Sequence, residues 1–358
     1  MGTKSINFTY DFSKDEVRSL NEAIVTEIVK SPILQTVFGR IETGIKNDRA
    51  IGFVNTAIGK MLKAPLGCNP SGSTFGSMST SQKVWSPKGV AFRKEECKTD
   101  ISGTLVQYLL NSGIESYDLT NTEYYAFFLD YIKDNIAKDV FRYAWFGNTA
   151  ADTFANGGKL TNGTDKTYYT QFDGIWKQLA AIYTATTARK TQLTGNPNGQ
   201  ATAALQDSVL TGANALASFY AVHDAADIKL RLQPNKVFMC TDSVMKVTRR
   251  ELQLKGSDTL MMKLIEGVEV PTIDGIPVIV VPVWDELIRA DFYNVTTYDS
   301  PHRILLTTTD NLALGFQGNG AFEEFDVFFD KKSKLNIIEG EDAMDAKVLR
   351  NELIQVGI

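Results

Sequence analysis

Three observations predict an α+β fold for this chain. Apolar residues recur with helical spacing near residues 121–146, whereas residues 47–104 and 301–358 contain strand-like segments. Between them, residues 169–300 mix helices and strands in what we interpret as one compact unit. The hydrophobic fraction, 43% of 358 residues, is ordinary for a globular protein and excludes disorder over most of the chain.

Composition excludes several classes of protein. Lys and Arg total 37 against 42 Asp and Glu, so a nucleic-acid binder that is basic over its whole surface is excluded. Three cysteines are too few for a disulfide scaffold and have no zinc spacing, which favours folding in a reducing cytosol. The most apolar stretch, residues 277–284, is shorter than the roughly 20 residues of a membrane span.

The first predicted element is an amphipathic helix. Ser13 and Glu16 form a capping box, and Pro32 disfavours helical backbone just before it. The apolar stripe comprises Val17, Leu20, Ile24 and Ile28. Such a helix must pack on its own domain or grip a neighbouring molecule.

Residues 47–104 predict a long hairpin. Candidate strands near residues 51–62 and 84–97 flank a Ser/Thr/Gly-rich segment, residues 69–82, that cannot form a core of its own. A two-stranded ribbon is marginally stable in water. We therefore expect this arm to lie across a partner surface.

The strongest helix prediction covers residues 121–146. Thr120 and Glu123 form a capping box, and Gly147 supplies the stop. We expect Ile132 and Ile136, on the main apolar stripe, to be buried. Further helices are predicted near residues 172–184, 201–222 and 243–256, and strands near 235–240, 272–281 (turning at Asp274-Gly275), 303–307, 312–316, 325–329, 335–338 and 347–356.

Few residues suggest catalysis. The two histidines, His223 and His302, have no nucleophile beside them in sequence, and no nucleophile elbow or phosphate-binding loop is present. Acidic residues cluster near two late strands: Glu323, Glu324, Asp326, Asp330, Glu339, Glu341 and Asp342. We interpret them as a solvated face and predict no catalytic site, metal or cofactor. A carboxylate-dependent α/β enzyme, with residues 169–300 as its catalytic domain, is the alternative from a different class.

Three runs of sequence resemble a known family. Residues 304–315 contain a TxxNLxxG run, residues 274–279 read DGIPVI, and residues 339–348 read EGEDAMDAKV. In chain order, with residues 274–279 first, they resemble the last part of tailed-bacteriophage major capsid proteins, which have the Hong Kong 97 fold. The element order agrees over nearly the whole chain.

The resemblance implies a division of the chain. Residues 1–46 would be the N-terminal arm and 47–104 the E-loop hairpin. Residues 105–168, with the spine helix 121–146, and the return strands 301–358 would form the peripheral domain. Residues 169–300 would form the axial domain.

The resemblance also implies a function and partners. Copies would assemble as hexamers and pentamers of an icosahedral shell that encloses double-stranded DNA without specific binding, in a virion assembled in the host cytoplasm. No charged helical segment precedes the arm, so either a separate scaffolding protein or prior cleavage is implied. Portal and decoration proteins are expected as further partners, and a membrane is not. Subunit contacts are expected at Phe75, Met78, Trp85 and Phe92. A nanocompartment shell of the same fold remains an alternative.

Overall fold

The computed structural model describes residues 32–47, 49–56, 78–97, 123–196, 200–255, 262–265, 268–318, 324–330, 332 and 335–358. Its α-helices are α1 (Pro32–Val37), α2 (Glu123–Phe146), α3 (Ile175–Ala185), α4 (Ala203–Val209), α5 (Gly212–Ala225), α6 (Ile228–Arg231), α7 (Asp242–Leu254) and α8 (Pro282–Asp291). Its strands are β1 (Arg40–Glu42), β2 (Ala50–Thr56), β3 (Met78–Val84), β4 (Lys88–Cys97), β5 (Lys190–Thr191), β6 (Lys236–Cys240), β7 (Met262–Ile265), β8 (Val268–Ile273), β9 (Ile276–Val280), β10 (Ile304–Thr308), β11 (Leu312–Phe316), β12 (Glu324–Asp330), β13 (Leu335–Val348) and β14 (Ile354–Gly357).

A five-stranded sheet is built around the long strand β13. Along one edge of β13, β12 pairs with its first half and β11 with its last five residues, both antiparallel. Along its other edge, β4 pairs with residues 335–344. β1 extends the sheet by pairing in parallel with β11.

A seven-stranded sheet has the order β5-β14-β10-β6-β9-β8-β7. The β8–β9 turn places Asp274 and Gly275 at φ 54° and 73°, the left-handed conformation that a type I′ hairpin requires. The predicted Asp274-Gly275 hairpin is therefore confirmed.

The core lies on both faces of the seven-stranded sheet. One face packs with the five-stranded sheet and helices α2, α3 and α8, around Trp145, Trp176 and Trp284. The ring centroids of Trp145 and Trp284 are 4.6 Å apart, and those of Trp176 and Trp284 are 4.9 Å apart. Helices α5 and α7 cover the other face. Helix α7 is consequently an outer layer with one face free of the sheet.

The helix predicted over residues 121–146 is confirmed as α2. Ile136 is buried in the main core, as expected. The side chain of Ile132 lies outside the described residues, as do Thr120 of the capping box and the whole helix predicted after Ser13. Within the described residues, no helix combines the length and the apolar character that crossing a bilayer requires.

Three predictions of element boundaries are wrong. The helix predicted over residues 201–222 is two helices, α4 and α5, and Leu205 of its apolar stripe is exposed. Thr211 begins the second helix, because its hydroxyl accepts from the amide of Asn214. The strand predicted at 335–338 continues as β13 to Val348, and the strand predicted at 347–356 is divided between the end of β13 and β14.

The grouping of residues 301–358 as one set of return strands also needs correction. β10 and β14 pair with each other and, through β6, join the sheet of residues 169–300. Only β11, β12 and β13 lie in the five-stranded sheet. The all-apolar runs of β10 and β14 suit a sheet that is covered on both faces.

Candidate subunit-contact regions

The β2–β3 hairpin differs from the predicted one. β2 pairs antiparallel with β3, from Ala50 opposite Val84 to Thr56 opposite Met78. The predicted return strand, residues 84–97, instead contributes β4 to the five-stranded sheet. Part of the predicted tip, Met78–Gln82, is strand. In the described part of the chain the hairpin is a sheet of two strands, so it lacks the third strand or helix that normally stabilises a ribbon.

The base of the hairpin is held by a small apolar cluster. Trp85 packs with Ile45, Ile51, Ala313 and Leu349, and its side chain is fully buried. Its backbone amide donates to the carbonyl of Arg49 at 3.1 Å, which closes the ribbon where the two strands leave the domain. The root of the hairpin is therefore fixed on the five-stranded sheet.

A buried carboxylate secures the next residue. The amide of Ser86 donates to the Asp345 carboxylate at 2.8 Å, and Lys347 pairs with the same oxygen at 2.9 Å. Burial raises the pKa of Asp345, and the Lys347 ammonium opposes that rise. The link between β3 and β4 is thus tied to β13 through a charged hydrogen bond.

The four predicted contact residues are separated by the structure. Phe75 lies outside the described residues, and Met78 begins β3 with its side chain also outside them. The expectation for Trp85 is wrong, because a fully buried indole has no surface for a neighbour. Phe92 lies on β4, partly buried against the main core. Val84, 37% exposed at the end of β3, is a better candidate at this root.

Ile228 and Leu232 form a second exposed apolar group, which the sequence did not predict. Ile228 is 58% exposed and Leu232 is 76% exposed, whereas Leu230 between them is buried. The two lie four residues apart on one side of the short helix α6 and its end. The sequence did not reveal this pair, because a four-residue helix is too short for the spacing of its aliphatic residues to form a recognisable period.

Val295 is a further exposed apolar residue with unusual backbone. It has φ 56° and is 72% exposed in the loop after α8. A β-branched residue rarely adopts this left-handed conformation, which costs energy. The loop is closed by hydrogen bonds from the Tyr293 hydroxyl to the Val295 carbonyl and from the Asn294 amide to the Thr297 carbonyl.

The TxxNLxxG run of residues 304–315 has a structural role. Asn311 is buried, and its amide group donates to the carbonyl of Arg350 at 3.1 Å and accepts from the Arg350 amide at 2.7 Å. It thereby ties the β10–β11 corner to the segment between β13 and β14. At Gly315 an added Cβ would lie 2.7 Å from Ile45 and 3.1 Å from the Trp85 ring, so any side chain there would force both neighbours to shift. Both residues shape the junction of the sheets and the hairpin root.

The structure brings His302 next to Ser243, a pairing that the sequence does not show. The Ser243 hydroxyl is 3.0 Å from Nδ1 of His302, whose Nε2 is 3.1 Å from the carbonyl of Gln206. The imidazole is buried, and burial lowers its pKa. With Nε2 donating to Gln206, Nδ1 is the acceptor for Ser243, so the neutral ring joins α4, α7 and the start of β10.

The amides beside Ser243 are already used. The Asp285 carboxylate of α8 accepts from the amides of Asp242 at 2.6 Å and Ser243 at 3.2 Å. These are the donors that an oxyanion would need at this helix N-terminus. Burial raises the pKa of Asp285, and the two amides oppose the rise. The arrangement caps helix α7, whose N-cap residue, Thr241, makes no side-chain capping hydrogen bond.

The acidic residues near β12 and β13 face one another in the ladder. Asp326 lies opposite Glu339, and Glu324 lies opposite Glu341. Glu339 pairs with Arg93 at 3.1 Å on the other side, and Asp342 is buried and accepts from the amide of Gly318 at 3.0 Å. Among the side chains that the structure describes, no three His, Cys, Asp or Glu residues form a group able to hold a metal ion.

Comparison with known proteins gives similarity in structure. No protein-family model matches the sequence, and no curated protein sequence matches it. A chain of the satellite phage P4 procapsid including size determination (Sid) protein is similar with a TM-score of 0.52 and 12% identity, over 99% of this chain and 93% of that one. The capsid of cyanophage P-SCSP1u gives 0.49 and 10%, over 89% and 85%. The holo-SrpI encapsulin complex of Synechococcus elongatus PCC 7942 gives 0.44 and 11%, over 91% and 87%.

The similarity to the P4 procapsid chain extends over almost all of both chains. At 12% identity it concerns the fold alone. The chain has the fold of tailed-phage major capsid proteins, as the sequence runs had implied.

Proposed function

We propose that this chain is a major capsid protein whose copies form hexamers and pentamers of an icosahedral shell around double-stranded DNA. The observation that carries the proposal is the β2–β3 hairpin, a two-stranded ribbon rooted firmly in its own domain. A fixed root, and a ribbon that pairs only two strands in the described part of the chain, suit a subunit that reaches a neighbour. The capsid fold supports the same function, although fold by itself does not fix function.

The proposal assigns roles to parts of the chain. Residues 1–46 are the N-terminal arm, and the E-loop is the β2–β3 hairpin with its connection, residues 50–84. The peripheral domain comprises α2 and strands β4, β11, β12 and β13 of the five-stranded sheet, to which β1 of the N-terminal arm is added. The axial domain is the seven-stranded sheet with α3 to α8, now including β10 and β14.

Two surfaces carry the proposed contacts. Val84 and the hairpin lie across the adjacent subunit of the same ring. Ile228 and Leu232 pack against the next axial domain, because their apolar surface is otherwise left in water. Repeating one such heterologous contact with rotation closes a ring, and rings joined by weaker contacts close a shell.

The proposal also names a location and partners. The protein belongs to the virion and assembles in the host cytoplasm with a separate scaffolding protein, and the shell accepts portal and decoration proteins. Single contacts are modest, and a shell becomes stable because every subunit makes several.

Sedimentation and electron microscopy of the purified full chain test the proposal. We expect capsomers, closed shells or tubes, alone or with a scaffolding protein co-expressed from the same source genome. The double variant Ile228→Ser, Leu232→Ser should fold and reduce assembly, while Ala213→Ser and Ala217→Ser, at exposed positions of α5, serve as the matched control.

A protein that stays monomeric at every concentration, with and without scaffold, would contradict the proposal. Closed shells that protect a protein cargo and contain no DNA when isolated from the native host would favour the nanocompartment alternative. Shells that contain nuclease-protected DNA would support the virion.

A further inference from the structure

Helix α7 presents a basic face to solvent. Lys246, Arg249 and Arg250 are all exposed, whereas Val244, Met245 and Thr248 face inward. Residues three and four apart lie on one side of a helix, so these cations form a continuous row, here called the basic stripe. Gln253, also exposed, extends the row by one turn.

The cations of the basic stripe are not engaged in ion pairs. Within the residues that the structure describes, none of the three has a carboxylate partner, whereas Lys255 on the same helix pairs with Glu251 at 3.1 Å. Asp242, four residues before Lys246 and therefore its neighbour on the helix surface, makes no ion pair with it among the described contacts. A chain with net charge −5 thus has a locally positive, unpaired surface on the outer layer of its seven-stranded sheet.

The chemistry of the stripe suits a phosphate polymer better than a protein surface. A protein interface normally has an apolar centre, and the stripe has none between its cations; the exposed Leu254 follows its last polar residue. Two adjacent arginines offer planar donor pairs that match phosphate oxygens. From Lys246 to Gln253 the helix rises about 10 Å, a length over which duplex DNA carries roughly six negative charges.

We infer that the basic stripe of α7 is a sequence-independent contact for the backbone of double-stranded DNA. The inference rests on the proposed function, from which it takes DNA as the polymer. The three side chains neutralise phosphates one by one and release the counterions bound to them. The shell wall would then hold DNA weakly at this helix while its overall negative charge keeps the remainder from adhering.

Binding of a fluorescent duplex of about 30 base pairs to the full chain, followed by anisotropy at about 50 to 200 mM NaCl, tests the inference. The variant Lys246→Gln, Arg249→Gln, Arg250→Gln should reduce the magnitude of the slope of log K against log salt by roughly 2.7, since each phosphate contact contributes about 0.9. The control Lys46→Gln, Lys138→Gln, Lys177→Gln removes the same charge at exposed positions elsewhere and should keep the wild-type slope.

Equal slopes for the two triple variants would overturn the inference. A competition experiment gives a second outcome that would overturn it. If poly-glutamate displaces the labelled duplex as well as unlabelled duplex does at equal charge concentration, the stripe is a site for acidic protein. If the triple variant does not fold, each single variant should lower the slope by roughly 0.9 and serves the same test. Shells that form although the DNA test fails would overturn the DNA contact alone. DNA binding by a chain that never assembles would overturn the proposed function alone.

Discussion

At the residue scale, burial within α2 decides which positions carry stability. Ile136 lies in the main core and is 8% exposed, whereas Lys138, two residues on, faces solvent. Ile136→Ala should lower the free energy of unfolding by about 2–5 kcal/mol, because it removes buried methyl groups and leaves a cavity. Lys138→Ala should change it by less than about 0.5 kcal/mol. Urea unfolding of both variants checks this, and equal losses would show that the helix face is misassigned.

His302 should make stability depend on pH in a defined direction. Its folded pKa lies below the ordinary 6.5 because burial disfavours the charged ring. The unfolded chain therefore binds the proton first, so the stabilisation is complete above pH 6.5 and is lost as the pH falls through the folded pKa. Facing charges are Asp207, 3.9 Å from Nε2, and Arg289 paired with it.

The variant His302→Gln tests this direction. Its unfolding free energy should fall less steeply than that of the wild type when the pH is lowered from about 7 to 5, since the titrating ring is gone. The difference between the two curves isolates His302 from the other titrating groups. Parallel curves over that range would contradict the prediction.

Residue roles that depend on distant partners could not be predicted from the sequence. Periodicity was enough to place Ile136 inside, because its partners recur along the same helix. The pairing of Ser243 with His302 joins residues 59 apart, and no local pattern announces it. Arg303 likewise gives no signal, yet its guanidinium is buried 4.6 Å from the centre of the Trp176 ring. Trp85 looked like a contact residue because a large apolar group on a ribbon has no partner within the ribbon.

At the element scale, the N-terminus of α7 depends on a side chain from another helix. Asp285→Ala should cost about 0.5–2 kcal/mol, because two amides at the first turn lose their acceptor. Glu286→Ala, at the exposed neighbouring position, should cost less than about 0.5 kcal/mol. Hydrogen exchange of the first turn of α7 should accelerate in the first variant only. Acceleration in both would show that α8 as a whole, and not its cap, holds the turn.

Elements were predictable where their own sequence defines them. The Asp274-Gly275 turn, the helix α2 and the strand β11 follow from turn chemistry and periodicity. The break between α4 and α5 is set by Thr211 and Gly212, whose signal competes with an uninterrupted apolar stripe. β3 was missed because its residues, MSTSQKV, are polar and resemble a loop.

At the scale of the whole molecule, the hairpin should matter for assembly more than for folding. Replacing residues 57–77, which connect β2 to β3, by a short Gly-Ser turn keeps both strands and should leave the melting temperature nearly unchanged, since loop closure changes little with length. The yield of capsomers and shells should fall. An inserted Gly-Ser pair after Gly163, at an exposed turn, is the control. Unfolding of the shortened protein would show that the connection belongs to a core, and normal shells would show that it does not hold neighbours.

The order of elements along the chain predicted the overall fold. It did not predict which strands belong to which sheet. β10 and β11 are separated by three residues and enter different sheets, with Asn311 at the corner between them. The family resemblance implied that strands 301–358 belong together, and strands adjacent in sequence usually do pair. The rule fails here because the corner is stabilised by contacts with Arg350 and Leu353, about forty residues on.

The two legs of the hairpin are rooted with unequal strength, and this has a mechanical consequence. One leg leads to β1, which holds β11 through three paired residues, and the other leads to β4, which is zipped to β13 along ten. If a neighbouring subunit moved and pulled on the hairpin, β1 would separate from β11 first. β4 would stay paired with β13, because its many hydrogen bonds share the force. Pulling single molecules by a handle in the hairpin should therefore show a small early rupture at low force before the main one. A single rupture would mean that both legs yield together. The hairpin would thus have one weak and one strong attachment. Release of β1 would let it extend by a few residues while β4 still holds it to its own subunit.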